Sequence, residues 1–233
     1  MEKSKLWLRW VGANALGELF GLGGTAAVGV LALSSLGSQP GIGSVLLTFA
    51  VAVASGAIEA TVVGLAQWWA MHPWFPAITR RAWWLGTLGG ALAAYVLGYL
   101  PSTVMSLGEQ AGGADLVSTP AAAEPAQWVV LLLAAGMGAV AGAVLSFAQW
   151  LVLRKKVAGA GLWIPADMLA WLVGMPVLFW AIDAAQKGQP LAESLLLMVA
   201  ALLLAGAAVG AIHGAFLLRL ARDQPTNTTA PSA

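Results

Sequence analysis

Four side chains in this sequence have types and positions suited to acid–base or binding chemistry: Asn14, Glu18, Glu59 and His213. All four lie within long apolar runs. Ionisable groups are expensive inside a bilayer, so such a placement marks a functional position by default. Glu18 lies eight residues beyond Trp10, about 12 Å along a helix at 1.5 Å per residue. Glu59 lies eight residues before Gln67 on the following, antiparallel run, which puts it at about the same depth. Two carboxyls at one depth can share a proton and titrate as a pair. Asn14 is one turn from Glu18 on the same helix face. His213 would approach Glu18 or Glu59 if the first and last runs pack together. The competing reading is structural: a neutral carboxyl that donates a hydrogen bond and fixes helix register.

Other polar positions read as structural. Asp167, one turn inside Trp163, is placed to cap or to pair with Arg154, Lys155 or Lys156 near the membrane surface. Asp183 falls at the far end of its run, where water reaches it. Gln67 and Gln149 sit at a helix boundary, where an amide meets headgroups or free carbonyls. His72 and His213 are too far apart to suggest a metal site, although a haem or chlorophyll needs only one axial histidine. The chain has no cysteine, which excludes disulfides and thiolate chemistry. No nucleotide fingerprint, serine triad or zinc pattern is present. The sequence therefore assigns no catalytic residue, no metal and no cofactor, and nothing in it suggests nucleic-acid binding.

The elements that position these groups are membrane-spanning. The chain is 60% hydrophobic and 9% charged, with mean hydropathy +0.83; a soluble chain of this length carries far more charge. Six apolar stretches reach the roughly 20 residues needed to cross a bilayer; they lie near 10–33, 43–70, 82–100, 127–153, 163–182 and 191–219. The first contains Asn14 and Glu18 and is longer than a signal-peptide core, so it reads as a helix of the mature chain. Turn signals separate the stretches, including Gln39-Pro40-Gly41, His72-Pro73, Pro101 and Gly188-Gln189-Pro190. Of the 11 basic residues, all but Lys187 then fall on one side, which the positive-inside rule makes cytoplasmic. Both termini share that side. Tryptophans gather there too, and Trp10, Trp68, Trp84, Trp150 and Trp163 read as interface anchors at the headgroup level.

Small residues recur every four positions in these runs, the pattern of closely packed membrane helices. Gly56, Gly64 and Gln67-Trp68 in the second run match Gly138, Gly142 and Gln149-Trp150 in the fourth. Gly206, Gly210 and Gly214 in the sixth are followed by Leu217-Leu218 instead. Gly17, Gly21, Gly86 and Gly90 extend the pattern to the first and third. Pairing odd with even runs predicts three helical hairpins, about 1–75, 80–157 and 160–222, in a pseudo-threefold bundle with a disordered cytoplasmic tail at 223–233. In this alignment Glu18 matches Gly90 and Trp171, so its charge is peculiar to the first hairpin.

The segment Gln149-Trp150-Leu151-Val152-Leu153-Arg154, followed some ten residues later by a tryptophan-led helix at Trp163, resembles a repeated element of bacterial multipass membrane proteins common in cyanobacteria. That resemblance implies a topology of repeated hairpins in the inner membrane and no catalytic residue. Composition and motifs then leave two main classes. One is a scaffold, accessory subunit or binder of lipid or another apolar ligand, touching the bilayer, another membrane protein or its own copies. The other is a proton-linked carrier of a small solute or lipid that uses the carboxyl pair. A membrane-embedded enzyme has the least support.

Overall fold

A computed structural model of the protein describes residues 3–36, 41–110 and 125–222. Six helices dominate it: α1 (Lys3–Leu36), α2 (Ile42–Met71), α3 (Arg80–Gln110), α4 (Gln127–Leu153), α5 (Trp163–Ala185) and α6 (Leu191–Arg222). All six are long and apolar enough to cross a membrane. The expected tail at 223–233 and most of the loop before α4 lie outside the described residues.

Two prolines fail to end helices. Pro101, expected in a turn, lies inside α3, and Pro176 lies inside α5. A proline inside a helix removes one ladder hydrogen bond, whereas ending the helix there would free several backbone groups at once. The longer helix wins.

Each helix packs on its neighbours in sequence, and α6 returns to pack on α1, so the six close into a ring. Successive helices run antiparallel. Gly17 meets Val63, Gly21 meets Glu59, and Thr25 on α1 donates to the carbonyl of Ser55 on α2 at 3.0 Å. The same reversal at every junction brings the start of α1 and the end of α6 to one end of the bundle.

Glycines set how closely the helices approach. A methyl group at Gly138 or Gly142 would strike the backbone of α5 at Trp171 or Asp167. At Gly206 and Gly210 it would stand 2.6 Å and 2.9 Å from atoms of Asn14 on α1, and at Gly214 2.7 Å from Trp7. Gly56 and Gly64 lie against Tyr95 and Thr87 of α3, and Gly86 and Gly90 against Ala148 and Leu145 of α4. Thus α2 uses its glycines on α3, α4 on α5, and α6 on α1.

The polarity of the bundle is inverted relative to a soluble one. Leu132, Leu196 and Phe20 are 65%, 70% and 63% exposed, while Asn14, Glu18, Gln67, Thr87, Gln149, Asp167 and His213 are all buried. Lipid accepts the first set, and the second must find partners inside.

At the basic end the interior is closed by aromatic packing. Trp10, Trp83 and Trp163 are fully buried, with Trp163 edge-on to Trp10 at 5.7 Å and to Trp83 at 5.8 Å between ring centroids. Trp10 and Trp163 are therefore core residues and not interface anchors. A tryptophan at a helix end can face headgroups or the bundle axis, and only the packing decides which. Trp68, Trp84 and Trp150 are partly buried on the flanks; Trp68 donates to the Ile78 carbonyl and Trp84 to Thr61 Oγ1.

Candidate site in the bundle interior

One turn deeper than the three buried tryptophans, each odd-numbered helix turns a polar side chain inward: Asn14 on α1, Thr87 on α3 and Asp167 on α5. The even helices face them with Gln67 on α2, Gln149 on α4 and His213 on α6. A hydrogen-bonded layer results. Gln67 Nε2 donates to Asn14 Oδ1 at 2.9 Å, and Asn14 Nδ2 donates to the Trp10 carbonyl at 2.8 Å. Gln149 Nε2 donates to Thr87 Oγ1 at 2.9 Å and, at 3.4 Å, to Gln67 Oε1. From above, Trp163 donates to Gln149 Oε1 at 2.7 Å and Trp83 to Gln67 Oε1 at 3.3 Å.

The glutamines thus stand well inside the protein, away from the headgroups where the sequence placed them. An amide buried in a low-dielectric interior needs partners for both its ends; Trp83 and Asn14 supply them for Gln67, and Trp163 and Thr87 for Gln149.

Asp167 is likewise displaced from expectation. It is fully buried and bonds through Oδ1 to Nε2 of His213, which is 2% exposed, rather than to Arg154, Lys155 or Lys156. Those three residues belong to the exposed turn after α4, where Lys156 reaches the Ala77 carbonyl at 3.0 Å. A carboxylate one turn inside a helix end can pair outward or across the bundle. Here Gly142 brings α4 against the Asp167 backbone, and closure of α6 onto α5 presents the imidazole.

Glu18 and Glu59 do not bond to each other. Glu59 is half-buried and accepts a hydrogen bond at Oε2 from the Tyr95 hydroxyl of α3. Glu18 is 2% exposed and its Oε2 has no partner. The two carboxyls nevertheless line one small cavity with Asn14, Gln67, Asp167 and His213. Its volume is about 20 Å³, close to the space one water molecule requires. In register with Glu18, eight residues beyond the buried tryptophan, α3 presents Ala91 and α5 Trp171, both lining this cavity; Gly90, the residue aligned with Glu18 from sequence, packs instead on Leu145 of α4.

Four buried polar atoms in this region lack partners: Trp10 Nε1, Glu18 Oε2, Asp167 Oδ2 and His213 Nδ1. Such atoms are rare in folded proteins, because an unmatched polar group in a dry interior costs about 1–3 kcal/mol. Trp10 is explained by the sequence. Counting back from Gln67 and Gln149 along their glycine rows, the corresponding position on α6 is Leu217, which has no acceptor to offer. The other three belong to the acids and the histidine that line the cavity.

The remaining sequence candidates are peripheral. Asp183 pairs with Lys187 at 2.8 Å and accepts from Gln127 at 3.0 Å, both at the surface. His72 stacks on Trp68 with ring centroids 4.6 Å apart. Sequence reasoning missed Thr87 and Tyr95 entirely. A usable signal was present in the chain: a tryptophan followed four residues later by a polar side chain occurs at the start of all three odd helices.

Comparison with protein-family models, with curated proteins and with solved structures returns no match.

Proposed function

We propose that this protein is a proton-linked membrane carrier for a small polar solute, working at the site between Glu18, Asp167 and His213. One observation carries the reading: these three side chains are nearly or fully buried, line the same cavity, and each leaves a polar atom unpaired. A scaffold gains nothing from unpaired polar atoms at its centre, whereas a site that takes up and releases a ligand needs them. The titratable groups that line the cavity are Glu18 on α1, Glu59 on α2, Asp167 on α5 and His213 on α6, with Tyr95 of α3 bonded to Glu59; α4 contributes Leu145 and Gln149, neither of them titratable. Half-buried Glu59 is the natural point of entry, and the tryptophan cluster is the barrier on the basic side.

Within this reading the bundle is three hairpin repeats about a pseudo-threefold axis, as the resemblance to repeated-hairpin bacterial proteins implies. The Trp83–Gln67 and Trp163–Gln149 pairs support it, with Leu217 as the lost third member. The positive-inside bias places the basic end, with both termini, in the cytoplasm and the protein in the inner membrane. Its task is binding and transfer, not catalysis.

The test is reconstitution into vesicles carrying a pH-sensitive dye inside. An imposed gradient should collapse faster with the protein than without it, and Glu18→Gln or Asp167→Asn should remove the difference. Vesicles that behave like empty ones, or variants as active as the parent, would reject the carrier.

A second reading keeps one observation of its own. An apolar groove of about 320 Å³ runs between α5 and α6, lined by Pro176, Val177, Trp180, Leu197, Ala201 and Leu204. It suits a lipid chain, and a lipid-binding or accessory role would use it. Co-purification of lipid that is lost on Ala201→Phe, with no proton flux in any variant, would favour that role.

A further inference from the structure

The apolar groove between α5 and α6 shares no residue with the interior cavity, so whatever fills it is separate from the solute site. We infer that it holds one chain of a phospholipid whose headgroup carries both a phosphate and a primary amine. This takes the lipid-chain reading of the groove further and is independent of the carrier.

Shape and depth come first. Ala201, 4% exposed, forms the floor, while Trp180 and Leu204 stand 46% and 60% exposed at the rims. A volume of about 320 Å³ is at the lower end of the roughly 300–1,000 Å³ that ligand pockets span, which suits one chain and not a whole lipid. The walls run lengthwise along both helices. On α5, Pro176 and Trp180 lead to Asp183 and, just past the helix end, Lys187. On α6, Leu204, Ala201 and Leu197 lead to Glu193 at helical spacing. Pro176 to Lys187 and Leu204 to Glu193 are each 11 residues apart, about 16 Å at 1.5 Å per residue. One leaflet of a hydrocarbon core about 30 Å thick is about 15 Å deep. A chain ending at Pro176 and Leu204 therefore brings its headgroup to the charged residues.

Charge then selects the headgroup. Among the described residues Lys187 is the only basic one at this end of the bundle. Its side chain is 60% exposed and meets Asp183 Oδ2 at 2.8 Å. So exposed an ion pair holds weakly, and the ammonium has further N–H donors to offer a phosphate. Asp183 uses Oδ2 for both Lys187 and Gln127, which leaves Oδ1 to accept from an amine. Glu193 adds a second exposed carboxylate. Ser194 beside it donates to the Ala185 carbonyl at 3.3 Å and ties the start of α6 to the end of α5. One cation and two anions at the mouth match a zwitterionic head better than a net anionic one. An ethanolamine ammonium donates hydrogen bonds to those carboxylates, and a choline trimethylammonium has none to donate.

The experiment is native mass spectrometry of the full chain released from detergent micelles. Phosphatidylethanolamine, phosphatidylcholine and phosphatidylglycerol with the same acyl chains are added in turn. One equivalent of phosphatidylethanolamine should bind, about tenfold or more tightly than either of the others. Lys187→Ala should weaken that binding by about tenfold, and Glu193→Lys should shift the preference to phosphatidylglycerol. Both positions are exposed, so neither variant threatens the fold. Equal binding of the three lipids overturns the inference, and so does a preference that Glu193→Lys leaves unchanged. A lipid-free dimer that Ala201→Phe breaks would give the groove to a second copy and overturn it as well. Proton flux in vesicles reads the carrier separately: flux without lipid preference rejects this inference alone, and lipid binding without flux rejects the carrier alone.

Discussion

Trp163 on α5 donates its indole proton to Gln149 Oε1 on α4 at 2.7 Å, and neither side chain reaches solvent. Trp83 makes the same kind of bond to Gln67. Trp10, at the matching place on α1, faces a helix that carries Leu217 where the other two carry glutamine, and its N–H is unpaired.

That difference can be tested in both directions. Gln149→Leu should strand the Trp163 N–H and lower stability by about 1–3 kcal/mol. Leu217→Gln should give Trp10 an acceptor and raise stability by up to about 1 kcal/mol, in the range of interhelical hydrogen bonds within membranes. Unfolding in mixed micelles followed by tryptophan fluorescence reads both. Equal effects of leucine-to-glutamine substitution at Leu217 and at lipid-facing Leu132 would show that no specific partner is gained.

Glycine spacing yields a contrast between neighbours on one helix. A methyl at Gly138 would collide with the Trp171 carbonyl, whereas one at Gly136 meets nothing within 4 Å. Gly138→Ala should therefore destabilise the bundle by about 1–3 kcal/mol, as overpacking does. Gly136→Ala should be neutral or stabilising by up to about 1 kcal/mol through helix propensity. Thermal inactivation of the two variants side by side distinguishes them, and similar losses would mean that α4 and α5 are not in the close contact described.

The Asp167–His213 pair should behave as a unit. Removing one member leaves a buried polar group without its partner, which costs about 3–5 kcal/mol where the partner is a charge. Asp167→Asn, His213→Leu and the double variant form a cycle whose coupling should be roughly 0.5–3 kcal/mol. Additive losses across the cycle would show that the two side chains do not interact.

Orientation can be read by labelling, because the chain contains no cysteine. Ser106 near the end of α3 and Ala158 in the turn after α4 lie at opposite ends of the bundle. A cysteine at Ser106 should react with an impermeant maleimide on intact cells, and one at Ala158 only after permeabilisation. Reaction of both from the same side would contradict the ring of membrane-crossing helices, and the reverse pattern would invert the assigned orientation.

Much of the architecture was legible in the chain because each signal is local. Six apolar runs, their small-residue rows and their flanking charges depend on nearest neighbours and on the lipid, and they predict the six helices well. Helix ends were less legible. Pro101 reads as a stop, yet it removes only one ladder bond, and the backbone bonds kept by continuing carry α3 on to Gln110.

The site was legible only in part. Glu18, Glu59, His213 and Asn14 stand out because polar groups in apolar runs are conspicuous. Asp167, Gln67 and Gln149 lie close to helix ends, where polar residues are ordinary, so their burial could not be read from position. By itself the sequence determined that this is a chain of membrane-length helices with small-residue faces and a few costly polar groups. The tertiary structure decided which of those groups meet. Closing α6 onto α1 and α5 chooses Asp167 as the partner of His213, gives Glu59 to Tyr95, and leaves Glu18 unpaired at the cavity. The physical reason is that side-chain pairing across a ring depends on the rotation of every helix about its own axis, which is set jointly by all the contacts around the ring and by no single segment of the chain.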